Sequence, residues 1–187
     1  MAALIFEGYV IVSADGMLAD ASGVMPATLK FAADQTFFSS SLDRTDLIVH
    51  GRNSFEDQPN SPKRKRIVLT RSTPALTRHP DDPKATLWNP AGASFEDACT
   101  MAGVTSGTAA IIGGPGVFAM FAQRYNTFWL SQAELVRVPG GEGAFPDVPH
   151  HTPQAVLAGW GLKADAPRVL DAANGVTVTP WRRVAGG

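Results

Sequence analysis

The sequence predicts an α/β domain with a mainly parallel sheet covered by helices on both faces. Three observations predict it. The short apolar runs DLIVH (46–50), RIVLT (66–70) and TAAII (108–112) have the composition of strands buried on both faces. Segments with helical spacing lie between such runs, and that alternation is the mark of βαβ units. Glycines follow two of the runs directly, at Gly51 and at Gly113-Gly114, where a strand must turn into a helix.

Taken in order, Leu4 to Ser13 is rich in β-branched and aromatic residues and stops at Asp15-Gly16, as a strand does at a turn. Pro26 suits the first position of a helix running to about Ser41, with Leu29, Ala32, Ala33, Thr36 and Phe37 spaced for one buried face. DLIVH, RIVLT and, more weakly, Ala85 to Trp88 are strands. Ser94 is a good N-cap with acidic residues behind it, so Phe95 to Met101 reads as a helix. TAAII is a strand leading through GGPG into an apolar helix, Val117 to Arg124. Thr127 to Val138 reads as a long strand. Two more strands are expected near Ala155 to Leu162 and Val176 to Arg182, and the short loop between them makes an antiparallel edge.

Composition narrows the function. The chain has 187 residues, 44% of them hydrophobic, enough for one domain (1–187) with a sizeable core. Sixteen Lys and Arg against 17 Asp and Glu leave a net charge of −1, so no global field draws the chain to nucleic acid or an anionic membrane. The single cysteine, Cys99, excludes an internal disulfide and any multi-cysteine zinc site, and its place in a helix reads as a buried, inert thiol. The start, MAALIFEGYV, has neither the basic region nor the long apolar core of a signal peptide. The longest apolar stretch, Ala109 to Ala122, is broken by Gly113, Gly114, Pro115 and Gly116, whereas a membrane span needs about 20 apolar residues. The expectation is a cytoplasmic protein with no membrane and no nucleic-acid partner. The basic run at Lys63 to Arg66 fits a solvated turn into the next strand, and His150-His151 lacks companions at ligand spacing, so no metal site is expected.

The chemistry concentrates at strand ends. TAAII ends in Gly113-Gly114-Pro115-Gly116 and opens a helix, which lets backbone N–H groups approach an anion. DLIVH ends in Gly51-Arg52-Asn53-Ser54, and RIVLT, which closes on Thr70, is followed by Arg71-Ser72. In an open parallel sheet the carboxyl ends of the strands line the ligand crevice. Two arginines, several hydroxyls and a glycine-rich helix start suit a ligand with more than one phosphate.

With these motifs in view, the chain resembles the dihydrofolate reductase-like superfamily, which includes the pyrimidine reductase domain of riboflavin biosynthesis. The matching pieces run in order: VSADGMLAD, Met25-Pro26, the following helix, HGRNSFE, IVLTRS, IIGGPGVF, FWLSQAELV and Phe145-Pro146. The resemblance implies a three-layer α/β/α fold around an eight-stranded, mostly parallel mixed sheet, with NADPH bound along the strand ends. It implies that Arg52 and Arg71 hold the 2′-phosphate, and that Gly51, Asn53 and Ser54 meet the phosphates. Thr70 and Ser72 would flank the adenosine. Ile112, Gly113, Gly114, Pro115, Gly116, Val117 and Phe118 would cradle the pyrophosphate and nicotinamide, with Gly113–Gly114 as a cis peptide, and Leu18 would pack on the nicotinamide ring. Met25, Phe31, Phe38 and Ser131 would line the substrate pocket.

The departures bear on the substrate. Dihydrofolate reductases place an acid on the first helix seven residues after the Met of Met-Pro, whereas here the first acid is Asp34, nine after Met25. Asp34 precedes Phe38 by four residues, the family's spacing between acid and aromatic wall, so a two-residue insertion restores the match and makes Asp34 the catalytic proton source. Phe31, Asp34 and Phe38 can then share a helix face. The Trp that follows Met-Pro in the family is Ala27, and a Tyr beside the nicotinamide is Phe118. SADGMLADASG resembles the opening of the riboflavin-pathway enzymes instead, which need no such acid, although their Glu before the glycines is Ile112 here. The expectation is an NADPH-dependent reductase of a pterin-like heterocycle. The rivals are a reductase of an aminouracil ribosyl phosphate and a nucleotide-binding module without turnover. A homodimer stays open as a state of assembly.

Overall fold

The computed structural model describes residues 3–52 and 63–186. The chain runs β1 (Leu4–Ser13), β2 (Met17–Ala19), a 3-10 turn (Ala27–Leu29), α1 (Ala32–Asp43), β3 (Leu47–Gly51), β4 (Arg66–Leu69), β5 (Leu76–Arg78) and β6 (Ala85–Trp88). It continues α2 (Phe95–Ala102), β7 (Gly107–Ile111), α3 (Pro115–Met120), β8 (Thr127–Ala133), β9 (Glu142–Gly143), α4 (Pro153–Gly159), β10 (Leu162–Ala164), β11 (Arg168–Asp171) and β12 (Val176–Arg183).

The main sheet has the order β10-β12-β8-β1-β7-β3-β4-β6-β5, with β11 paired to β12. From β8 through β6 every neighbour is parallel. Antiparallel pairs occur only toward the edges, at β5 and at β12 with its partners. The mostly parallel mixed sheet that the resemblance implied is present, with ten strands among the described residues where eight were implied, the short edge segments β5 and β11 included. Two further short strands, β2 and β9, pair with each other outside the main sheet.

The alternation of side chains across the sheet makes two layers of core. On one face Phe6, Leu47, Val49, Ile111 and Phe128 meet Phe95 and Ala98 of α2, Phe118 of α3, and Val156 and Leu157 of α4. On the other face lies α1. There Leu42 packs with Tyr9, Ile48 and Ala110, while Leu29, just before the helix, packs with Ile11, Ala133 and Val176. The three layers are thus helices, sheet, helix.

Several expected elements are corrected. The helix expected over 26–41 is split: Lys30 and Phe31 are extended, and α1 starts only at Ala32. The buried face expected on Ala32, Ala33, Thr36 and Phe37 is displaced, because the helix buries Asp34, Ser41 and Leu42 while Ala32 and Thr36 are exposed. The helix after GGPG runs over Pro115–Met120, and β8 stops at Ala133, after which the chain turns. The strand expected over 155–162 is instead α4, capped by Thr152, whose side chain accepts from Ala155 N, and opened by Pro153; the apolar run buries its one face as a helix.

Candidate active site

Strand pairing brings the three strand-end motifs side by side. β3 is hydrogen-bonded to β7 on one side and to β4 on the other, so Gly113, Arg52 and Arg71 follow neighbouring strands. Gly51 N donates to Gly113 O at 2.7 Å, which ties two of the turns together. A Cβ built on Gly51 would stand 3.4 Å from Val117 Cγ2 and 3.6 Å from Gly114 N, ordinary contact distances that show how closely the two turns approach. Gly113 has φ +113°, a conformation that favours glycine, and the Gly113–Gly114 peptide is cis. Nothing lies within 4 Å of a Cβ on Gly116, so the outer side of this turn is open.

Arg52 and Arg71 are both exposed, and neither makes an ion pair among the described residues. Thr70 is buried, and its hydroxyl oxygen lies 2.9 Å from Ser72 Oγ and accepts from Ser72 N at 3.1 Å. Thr70 therefore holds the turn, while the exposed Ser72 is the hydroxyl left facing outward. Asn53 and Ser54 lie outside the described residues.

The hydrophobic members divide between surface and core. Leu18, on β2, is half-buried against the core beneath α2 to α4. Ile112 is half-buried on the opposite face, with Tyr9 and Leu42. Phe118, which the resemblance places on the nicotinamide side, has its ring in the core. It is 1% exposed and packs edge-on to Phe128 and Phe145 at 5.3 and 5.8 Å between centroids. Val117 is likewise buried.

The substrate-side residues sit under α1. Asp34 is in the first helical turn and 7% exposed. Burial pushes its carboxyl up to about 6, and a hydrogen bond with Ser131 of β8 opposes that shift in part. Ser131 is itself buried, beside Ile11 of β1 and Val178 of β12 in the sheet register. Met25 and Phe31 pack with Leu29 and Ala133, whereas Phe38 packs with Tyr9, Leu42 and Ile48. The single helical face expected for Phe31, Asp34 and Phe38 is therefore not formed. Phe31 is the extended N-cap residue (φ −113°, ψ 132°), off the helix, and its ring joins a different cluster from that of Phe38.

One residue of this region escaped the sequence reading. His50, at the end of β3, is 3% exposed; its Nδ1 donates to Gly51 O at 2.8 Å, and its Nε2 has no partner among the described residues. Desolvation holds its pKa below the ordinary value, so it is neutral at pH 7. The signal was there as a histidine closing an otherwise apolar strand. Among the described residues no cluster of His, Cys, Asp or Glu could hold a metal ion, and no helix is long and apolar enough to cross a membrane.

No family model matches the sequence, and no curated protein matches it. Solved structures do match in three dimensions. A dihydrofolate reductase from Enterococcus faecalis, complexed with NADP(H) and RAB-propyl, is 20% identical with a TM-score of 0.64, covering 97% of each chain. A protein assigned to riboflavin biosynthesis from Shewanella sp. PV-4 is 19% identical with a TM-score of 0.64, covering 97% of this chain and all of that one. With the parallel central strands, the three layers and the strand-end turns already described, these likenesses establish that this chain has the dihydrofolate reductase-like fold.

Proposed function

We propose that the protein is an NADPH-dependent reductase that delivers hydride to a pterin-like, nitrogen-rich heterocycle. The observation that carries this reading is Asp34, a carboxyl buried beneath α1, raised to about 6 and paired with Ser131 on the same sheet face. A buried acid with a pKa near neutrality can hold a proton at working pH and pass it on, which an exposed carboxylate cannot. Of the two solved structures named above, one is a dihydrofolate reductase complexed with NADP(H) and the other carries the name of a riboflavin biosynthesis protein.

The residues at the strand ends fit such a cofactor. The open Gly116 turn leaves backbone accessible for phosphate oxygens, and Arg52 and Arg71, exposed and without an ion pair among the described residues, supply the positive charge that a 2′-phosphate needs. When bound, NADPH supplies the hydride. The chain's work is to position the heterocycle, keep water away and hold the proton. In this reading Asp34 holds that proton, Ser131 orients the carboxyl, and Met25, Phe31 and Phe38 contribute apolar walls.

A second reading is reduction of an aminouracil ribosyl phosphate, and the separation of Phe31 from Phe38 favours it, since the expected one-faced wall is missing. NADPH oxidation at 340 nm with dihydrofolate and with the aminouracil ribosyl phosphate separates the two. Dihydrofolate turnover that falls by about 10²–10⁴-fold in Asp34→Asn, with NADPH binding intact, supports the pterin reading. Turnover of the aminouracil alone, indifferent to Asp34→Asn, assigns the second, and NADPH binding without turnover of either leaves a nucleotide-binding module.

A further inference from the structure

A cleft of about 190 Å³ opens at the far end of α1, toward the amino ends of the strands and away from the cofactor turns. Its floor is aromatic. Tyr9 and Trp129, paired across β1 and β8, lie nearly parallel with centroids 6.4 Å apart, and Phe37 of α1 meets Trp129 edge-on at 5.7 Å. Over this floor stands Arg168 of β11, its guanidinium carbon 5.1 Å from the Trp129 centroid and 5.7 Å from that of Phe37. Arg44, just past the end of α1, also lines the cleft.

The hydroxyls of Ser41 and Thr45 in this cleft donate to backbone carbonyls, but one polar group of the lining is left over. The Trp129 indole N–H is buried and has no hydrogen-bond partner among the described residues, a cost that a folded protein ordinarily avoids. Neither Arg44 nor Arg168 makes an ion pair among the described residues. The one acid of the lining, Glu7, accepts from Tyr9 Oη at 2.5 Å. Two guanidiniums against one engaged carboxylate leave the cleft with one uncompensated positive charge.

We infer that this cleft is a second binding site, distinct from the Asp34 region, for a small planar monoanion of the aryl or heteroaryl carboxylate class. The ring lies against the aromatic floor, and the carboxylate is received by the fork of Arg168, with Arg44 adding charge. Guanidinium donors match a carboxylate in plane, which an ammonium would not, and the volume admits one ring rather than a dinucleotide. The inference stands apart from the reductase reading, since none of its residues belongs to the proposed cofactor or substrate pocket.

The test is a titration of the ¹⁵N-labelled chain with benzoate, followed at the Trp129 indole resonance, which is assigned by its loss in Trp129→Phe. The expected result is a saturable shift. Its affinity should fall at least about tenfold in Arg168→Gln, an exposed position where folding is not at risk, and stay unchanged in Asp34→Asn. Benzamide, which keeps the ring without the charge, and acetate, which keeps the charge without the ring, should each bind about tenfold more weakly or worse. No saturable shift with benzoate overturns the inference. So does an affinity untouched by Arg168→Gln, or benzamide or acetate matching benzoate.

Discussion

Asp34 shows how much one buried carboxyl can report. Its folded value of about 6 lies above the 3.8 of an unperturbed aspartate. Between about pH 4 and 6 the folded state therefore keeps a proton that the unfolded chain releases, so this group makes stability fall as pH rises through that window and leaves it flat above. A shift of this size corresponds to about 3 kcal/mol. Asp34→Asn removes the titration, so its stability relative to wild type should climb by up to that amount from pH 4 to pH 7, read by urea unfolding at fixed pH steps. A difference that does not change with pH would mean that the carboxyl is not desolvated. Arg52 and Arg71 carry the other residue-scale expectation. If each grips a 2′-phosphate, either change to Ala removes a charge-assisted contact worth about 1.5–3 kcal/mol. NADPH should then bind roughly tenfold or more weakly while NADH changes little, and equal losses for both cofactors in a titration would remove the arginines from that role.

At the scale of elements, capping and close approach decide more than propensity does. α2 begins with a capping box: Ser94 Oγ accepts from Asp97 N at 3.0 Å and the Asp97 carboxylate accepts from Ser94 N at 3.4 Å. Ser94→Ala should cost about 1 kcal/mol of stability, seen as an earlier denaturant midpoint. β1 has a different constraint. A side chain at Gly8 would run into the ring of Phe128, which is fully buried between β1 and its neighbours. Gly8→Ala should destabilise by about 1–3 kcal/mol as the packed ring is forced aside, again read by denaturation. α1 teaches the same lesson in reverse. Its N-cap, Phe31, offers no side-chain cap, and the helix starts where Lys30 and Phe31 leave the extended conformation rather than at Pro26.

At the scale of the whole molecule, one sheet carries both halves of the chain. β1 lies between β7 and β8, and β8 in turn pairs with the late strand β12, so early and late segments share one ladder. Unfolding should be a single cooperative transition, with tryptophan fluorescence and far-UV circular dichroism giving the same midpoint. NADPH at a hundred times its dissociation constant should add about 2.7 kcal/mol to that stability, and the gain at the same concentration should shrink in Arg52→Ala and Arg71→Ala. Two separated transitions would contradict the shared sheet.

What the sequence determined by itself was local and periodic. The buried central strands, the capped helix at Ser94 and the glycine turns after β3 and β7 were legible because continuous apolar runs, an N-cap and a glycine each act within a few residues. The adjacency of Arg52, Arg71 and Gly113 followed from those runs only through the rule that ligands meet parallel strands at their carboxyl ends. Tertiary structure decided the rest. Residues 153–159 became a helix rather than a strand because an apolar run of that length suits either, and a core face beneath β1 and β8 was there to take Val156 and Leu157. Phe118 went into the core and Phe31 left the face of Phe38, since a side chain's neighbours are set by which elements pack, not by spacing along the chain. The burial of Asp34, and with it the raised pKa on which the proposed chemistry rests, belongs to the same class. Desolvation is a property of the space between α1 and β8, which lie almost a hundred residues apart in the chain, and no local pattern encodes it.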